Sequence, residues 1–482
     1  MDAVPIVPPL FRSIENTTLH ELQTGDRSRA TDSCQAKSCA PPASVLTLSS
    51  GIRTVMDSES TMSAADVNYS SQNTKYAAII AAVATAAALL MVLVFFHFQN
   101  LVAKTGDPYE YGEIARQFIE HGFTKLTRRA ASLYPELIAV VYRLGGSDRV
   151  IIILQCLFHA ATCVLVFRLG LRIYNARTGL LAGLFCAFHP MLLRYVPDLH
   201  MESLLTLMCT LTVWTTVRFH DRPTVMNGIL VGVVGMCATL TKGVMLPYLG
   251  VFGIISGGLA LKRRSRQDLI AVIAMFVAMT VVLAPWTYRN YLVTGGRSVL
   301  LTPGASDSFL RGYVFTRWEF ATLQKPPYTD AETEVNAWFR QIARDAGTVW
   351  EKDEVSDEQN NARVAKHLII TQPLDTARKI FVGLFTFWYE MTSLTNSLIP
   401  GSLALIAWVL AIIGLRRAHR EGRPSWLIWL PIVVMNVFVA LLIPLGRYSV
   451  PILPCLMILA AFGVDTLLNR SNPASSGRRI SR

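Results

Sequence analysis

The chain has 482 residues, of which 52% are hydrophobic and only 16% charged, and the apolar residues fall in long runs. That pattern excludes an ordinary soluble domain, whose apolar residues would be spread through shorter periodic segments, and it marks a polytopic membrane protein. The formal net charge of +12 reports loop topology and not a nucleic-acid partner, because much of the Lys and Arg sits in short connections between apolar runs.

In chain order the first element is a tail. Residues 1–75 are rich in Ser, Thr, Ala and Pro, lack a sustained period and contain no signal-peptide h-region, so they read as a disordered cytosolic segment. Met56 and Met62 leave room for a later natural start. The eight cysteines include no C-x-x-C pair, and six of them lie inside apolar runs as small fillers.

A bilayer core about 30 Å thick takes roughly 20 apolar residues per helix. Such runs occupy approximately 76–99, 149–170, 178–195, 200–219, 226–241, 244–261, 268–288, 398–415, 425–443 and 448–468. Alternate connections between them are basic. One set carries Arg168, Arg172 and Arg177, then Arg218 and Arg222, then Lys262, Arg263, Arg264 and Arg266, then Arg416, Arg417, Arg420 and Arg423, and last Arg478, Arg479 and Arg482. The other short connections hold little beyond Lys242 and Arg447. The expectation is an all-α membrane protein with about ten transmembrane helices, in the plasma membrane, with both termini cytosolic.

Residues 378–391 are apolar enough to suggest an eleventh span, but counting it would put the basic stretch 416–423 outside; they read as a helix packed at the outer surface. The predicted organisation is an N-terminal membrane module (76–290) with a first outer loop (100–148), a larger outer-face loop region (291–396), C-terminal membrane helices (397–470) and a basic cytosolic tail (471–482). Soluble mass is concentrated on the outer face, and chemistry is expected there.

The first outer loop opens with Asp107-Pro108-Tyr109-Glu110, which has the form of a helix start: an N-cap, Pro at the first position and Glu three residues on. Tyr111, Ile114, Ala115 and Phe118 then make one apolar stripe, so the segment predicts an interfacial amphipathic helix. Such a helix needs Asp107 only as a cap and its glutamates only as a wet face. A second acidic site changes the weighting. In "RYVPDLHMESLLTLM", Asp198 sits at the membrane boundary and Glu202 one turn deeper. An ionisable residue inside a span costs roughly 2.5–3.5 kcal/mol on insertion scales, so one of these two carboxylates is expected to be functional unless a neighbour such as Arg194 neutralises it.

Basic residues supply the complement: Lys242 in "TLTKGVMLP", Arg289 in "APWTYRNYLVTGG", Arg447 in "IPLGRYSVPILP", and Arg128 and Arg129 ahead of "SLYPELIAVVYRLGG". Each alone could be an interface snorkeller. Together, beside carboxylates, they suit a phosphorylated lipid.

In order and spacing, the outer Asp followed by "Y...A", the loop ending in "YP.L....YRLGG", the acidic entry to the fourth span, "APWTYRNY" with "TGG", and "GRYSVPILP" resemble the membrane glycosyltransferases of the C-type fold. More narrowly, they are similar to the bacterial branch related to protein O-mannosyltransferases and aminoarabinose transferases of lipid A, over about residues 76–468. The resemblance implies transfer of a sugar from a polyprenyl-phosphate carrier to an acceptor hydroxyl on a lipid, glycan or protein, usually with inversion. It places Asp107 on the catalytic-loop Asp and Asp198 or Glu202 on the second acidic position. Arg128, Arg129, Tyr134, Lys242, Arg289, Arg447 and Tyr448 would then bind the lipid phosphate. The chain departs from the protein O-mannosyltransferases in having a single Asp in place of their Asp-Glu pair. A divalent metal ion between Asp107 and Asp198 would suit hard carboxylate ligands. The rival reading is a transporter of a lipid-linked or anionic substrate, against which stand the lack of an internal repeat and the gathering of charge at one face. A purely structural protein would not explain Glu202.

Overall fold

The computed structural model describes residues 64–98, 107–122, 133–296, 304–316, 341–342, 344–347, 354–389, 391 and 394–471. Arg128 and Arg129, the tails 1–63 and 472–482, and most of the larger loop region between 317 and 353 lie outside the described residues. The chain divides into the units Met1–Gln72 and Asn73–Arg482, and the architecture below is that of the second.

Helices account for every regular element among the described residues. They are α1 (Ala64–Phe98), α2 (Asp107–His121), α3 (Leu133–Arg143), α4 (Asp148–Ile173), α5 (Ala176–Ala187), α6 (Pro190–Leu193), α7 (Glu202–Asp221), α8 (Val225–Thr241), α9 (Leu246–Arg263) and α10 (Arg266–Val293). Then follow α11 (Ala305–Val314), α12 (Glu354–Thr371), α13 (Pro373–Thr386), α14 (Leu394–Arg420), α15 (Trp426–Leu441) and α16 (Leu453–Ser471), the last preceded by a 3-10 segment, Gly446–Ile452. Each predicted apolar run falls largely on one of these helices, except 178–195, which is divided between α5 and α6. Among the described residues, six helices are long and apolar enough to cross a membrane, and α5, α8 and α15 are shorter apolar helices. The protein is an all-α polytopic membrane protein.

Two boundaries differ from expectation, each for a local reason. The first helix begins at Ala64, inside the stretch read as tail. Residues 64–75 contain neither Gly nor Pro, so once the apolar run has nucleated a helix nothing stops it from propagating backwards. The third run ends early, at Ala187. Pro190 forces His189 out of the helical region, to φ −70° and ψ 118°, and the chain restarts as a single turn.

The bundle is centred on its last helix: 89% of the apolar window of Gly446–Asn469 is buried, against 17% for the first span. Lipid gives helices no hydrophobic reason to associate, so close backbone approach has to do it. A Cβ on Gly463 would lie 2.0 Å from the Leu410 carbonyl oxygen, and one on Gly414 would lie 2.4 Å from that of Leu459. These two glycines let α14 and α16 touch along their backbones. Gly228 and Gly232, four apart on α8, do the same against Ala271 and Met275 of α10.

Three of the connections predicted to share the basic side meet one another, those after α4, α7 and α14. Arg172 pairs with Asp221 at 2.7 Å. Tyr174 donates to Ser425 Oγ at 2.9 Å, and Asn175 Nδ2 to Asp465 Oδ2 at 3.1 Å. Arg417 reaches the same buried Asp465 at 3.0 Å, with Arg177 at 3.7 Å. Helix α7 runs from Glu202 to Asp221 over 20 residues, about 30 Å. Glu202 therefore lies at the opposite end from this ion-paired cluster.

In the larger loop region, Leu310, Tyr313, Ile342, Val364, Ala365 and Leu368 form a separate apolar cluster joining α11 and α12. Helix α13 has 14 residues, about 21 Å, too short to cross a membrane, and it packs against α15. Its Lys379 is fully buried, donates to the Leu441 carbonyl oxygen at 2.7 Å and lies 4.3 Å from the Phe309 ring centroid. The ammonium thus satisfies a carbonyl at the C-terminal end of α15.

Burial pushes the Lys379 pKa from 10.5 down to about 7. Between those two values the unfolded chain binds more protons than the folded one, so this residue makes stability rise with pH across that window. Thermal unfolding in detergent should give a midpoint that climbs from about pH 7 to about pH 10, and Lys379→Met should flatten the climb. Equal slopes in the two proteins would contradict a lysine buried in this way.

Candidate active site

Helix α2 is seated by the predicted stripe: Tyr111, Ile114, Ala115 and Phe118 are all buried, together with Pro108 and Gly112. Tyr111 meets Tyr134 of α3 edge-on at 5.6 Å, while Ile114 and Phe118 pack with Trp286 near the end of α10. On the opposite face, Glu113 is paired with Arg116. This packing fixes the first turn of α2, where Asp107 stands.

Asp107 does more than start a helix. Its Oδ2 accepts a hydrogen bond from Arg447 Nη2 at 2.6 Å. Arg447 is the second residue of the 3-10 segment that opens the last span, and its Nε lies 3.5 Å from Glu202 Oε1. One guanidinium therefore bridges two carboxylates from different helices, using the planar fork that suits arginine to this task. The five-residue link from Leu441 to Arg447 is anchored at its start by Lys379, so α13 helps set where Arg447 stands.

Glu202 is the first residue of α7, where a carboxylate complements the helix dipole. Its side chain is only 2% exposed. Neither carboxylate oxygen accepts a hydrogen bond from any described residue, and Arg447 Nε donates none. Arg447 is the nearest balancing charge, and Lys242 and His200 add to the positive field around the carboxylate. Beside its ion pair with Arg447, this buried carboxylate keeps acceptor capacity that suits hydroxyl donors.

Lys242 caps the end of α8, and its Nζ lies 3.8 Å from the Tyr448 ring centroid. The Arg447 guanidinium carbon lies 5.5 Å from the same ring. Tyr448 thereby joins both cations through its π-face. Two carboxylates and two cations, held by α2, α7, α8 and the 446–452 segment, form the site.

The remaining candidates are placed elsewhere. Asp198 Oδ1 accepts from the Leu199 amide at 2.8 Å, and its Oδ2 lies 4.0 Å from His200 Nδ1. Burial raises the Asp198 pKa, with the Leu199 amide and His200 opposing. Of the two alternatives, Glu202 is therefore the one that shares a partner with Asp107. That partner is Arg447 and not Arg194, which is exposed. Tyr134 is 1% exposed and donates to Gln155 Oε1 at 2.7 Å. Its hydroxyl is thus engaged inside the packing, where it joins α3 to α4. Gln155 Nε2 in turn donates to the carbonyls of Val196 and Asp198, both at 2.8 Å, tying α3, α4 and the approach to Glu202 together.

Arg289 belongs to a neighbouring group. Its Nη1 donates to Asn290 Oδ1 at 2.9 Å, its guanidinium carbon lies 5.0 Å from the Trp286 ring, and it faces Glu136 of α3. Burial raises the Glu136 pKa, and the Arg289 charge opposes that rise. Glu136, Gln155 and His200 were not singled out from sequence. Gln155 was detectable, since a polar side chain within an apolar run needs a partner.

The donor set does not fit a metal held between Asp107 and Asp198. Arg447 occupies an oxygen of Asp107. Among the described residues no three His, Cys, Asp or Glu side chains converge as an ion-binding group.

No curated protein matches the chain. Several solved structures are similar to it. The archaeal oligosaccharyltransferase AglB from Archaeoglobus fulgidus, in complex with an inhibitory peptide and a dolichol-phosphate, matches at 12% identity and TM-score 0.47, over 85% of this chain and 53% of that one. ArnT from Cupriavidus metallidurans, bound to undecaprenyl phosphate, matches at 16% identity and TM-score 0.34, over 83% and 80%. The arabinosyltransferase EmbB from Mycobacterium smegmatis matches at 13% identity and TM-score 0.34, over 80% and 41%. The chain thus spans about half the length of the archaeal enzyme. Residues 131–288, from α3 through most of α10, match the family described as dolichyl-phosphate-mannose-protein mannosyltransferase, and over that third of its length the chain is similar to this family.

Proposed function

We propose that the protein is a membrane glycosyltransferase that moves a sugar from a polyprenyl-phosphate carrier to an acceptor hydroxyl, with the site facing the outer side. The observation that carries this reading is the bridge from Asp107 through Arg447 to Glu202, with Lys242 alongside. The family match over residues 131–288 supports it, since that segment contains Glu202 and Lys242. The opposed basic end of the bundle favours ten spans with both termini cytosolic.

Sugar hydroxyls are weak nucleophiles at neutral pH. In the proposed reaction the Asp107 carboxylate accepts the acceptor hydroxyl's proton while its oxygen bonds to the anomeric carbon. The bond from that carbon to the phosphate oxygen breaks on the opposite side, which inverts the centre. Negative charge then develops on the departing polyprenyl phosphate, and Lys242 and Arg447 stabilise it at a boundary where the dielectric is low. Glu202 holds Arg447 and accepts hydrogen bonds from hydroxyls of the bound sugar. No step is routed through a metal. The acceptor is a lipid, a glycan or a protein, chosen by the larger loop region.

The test is to incubate purified protein with a panel of polyprenyl-phosphate-linked sugars and cell-envelope acceptors, and to follow released polyprenyl phosphate and the anomeric configuration of the product. Transfer with inversion is expected. A product with retained configuration would overturn the single-displacement assignment, and no transfer from any carrier-linked sugar would overturn the function.

A further inference from the structure

At the basic end of the bundle, remote from the Asp107 site, a cavity of about 330 Å³ is lined by Arg172, Trp214, Arg218, Arg222 and Asn227. Its three arginines come from three places: the end of α4, the last turn of α7, and the connection to α8. Asp221 neutralises Arg172 at 2.7 Å. Among the described residues, the side chains of Arg218 and Arg222 have neither an ion-pair partner nor a hydrogen-bond partner.

Common uses of arginine at a helix end do not account for the group. Arg218, in the last turn of α7, complements that helix's dipole, which explains one residue. Arg218 and Arg222 are exposed, as snorkelling arginines are, but together with Arg172 they line one hollow. A second feature points to an anion. Helix α8 starts at this cavity, with Thr224 as its N-cap and Asn227 in its first turn, so the positive end of a 17-residue helix faces the arginines. A third feature points to a lipid. From the cavity, Met226, Ile229 and Val233 run along one face of α8, exposed by 64%, 37% and 37%. In the cavity lining the Trp214 indole lies 5.5 Å from the Arg172 guanidinium carbon, in the manner of an interfacial aromatic anchor.

We propose that this cavity binds the phosphate headgroup of an anionic phospholipid, with Arg218 and Arg222 as its cationic ligands and the apolar face of α8 as the track for an acyl chain. The volume is that of a small-ligand pocket, sufficient for a glycerophosphate headgroup. The site sits in the leaflet on the basic side and is independent of the reading given to the Asp107 cluster.

The experiment uses the purified full chain in neutral detergent, with phosphatidylglycerol, phosphatidylcholine and inorganic phosphate as separate probes. Lipid retention is read by native mass spectrometry and stabilisation by the thermal midpoint. Phosphatidylglycerol should be retained and should raise the midpoint, and the other two should do neither. Arg218→Gln with Arg222→Gln should weaken phosphatidylglycerol binding about tenfold or more. Arg222→Gln alone, at an exposed position, should weaken it severalfold and guards against misfolding of the double variant. Undiminished retention in both variants would overturn the site. Equal binding of phosphatidylcholine would overturn the anionic requirement, and equal protection by inorganic phosphate would overturn the lipid assignment.

Discussion

Replacing Arg447 with Met is expected to destabilise the folded protein by about 3–5 kcal/mol, because it leaves the Glu202 carboxylate buried without its nearest countercharge. Glu202 is 2% exposed and accepts no hydrogen bond from the described residues, so the ion pair at 3.5 Å is its nearest compensation. The effect should be non-additive. Glu202→Gln in the same chain removes the stranded charge, and the double variant should recover much of the lost stability. Arg447→Lys separates charge from geometry: a lysine can balance Glu202, but it cannot reach two carboxylates through one planar fork. It should fold better than the Met variant and still turn over poorly. Thermal unfolding of the wild type and the four variants in the same detergent checks this, and additive effects of Arg447→Met and Glu202→Gln would show that the two residues do not interact.

Much of this cluster was legible in the sequence as parts, and little of it as an assembly. The stripe of Tyr111, Ile114, Ala115 and Phe118 predicts the seating of α2 because a helix repeats every 3.6 residues and that repeat is local. Asp107 and Glu202 stand out because each is a carboxylate at the mouth of an apolar run. Arg447 stands out only as a basic residue at the wrong side for topology. That it joins the other two is invisible in any local pattern, since the chain separates it from Asp107 by 340 residues. Tyr134 shows the same limit. Its place in the "YP.L" motif is local and legible, while the Gln155 partner of its hydroxyl, on the next helix, is not. Pro190 breaks the helix within the apolar run 178–195, a stop that composition alone does not show. The paired glycines at 228 and 232 were equally visible as a small-residue spacing, but their partners Ala271 and Met275 were not.

Asp107→Asn is expected to lower sugar transfer by roughly 10²–10⁴-fold, the usual worth of a positioned general base. The substitution keeps the shape of the side chain and an oxygen able to accept from Arg447, so folding should survive it. What it removes is the capacity to take the acceptor's proton. Binding of the carrier should persist, because Lys242, Arg447 and Tyr448 are untouched, and the loss should appear in turnover with little change in KM for the polyprenyl-phosphate sugar. The decisive measurement is the initial rate of sugar transfer by purified wild-type and Asp107→Asn protein, matched for thermal midpoint. The account predicts a loss of at least about a hundredfold, and unchanged turnover in the folded variant would contradict it.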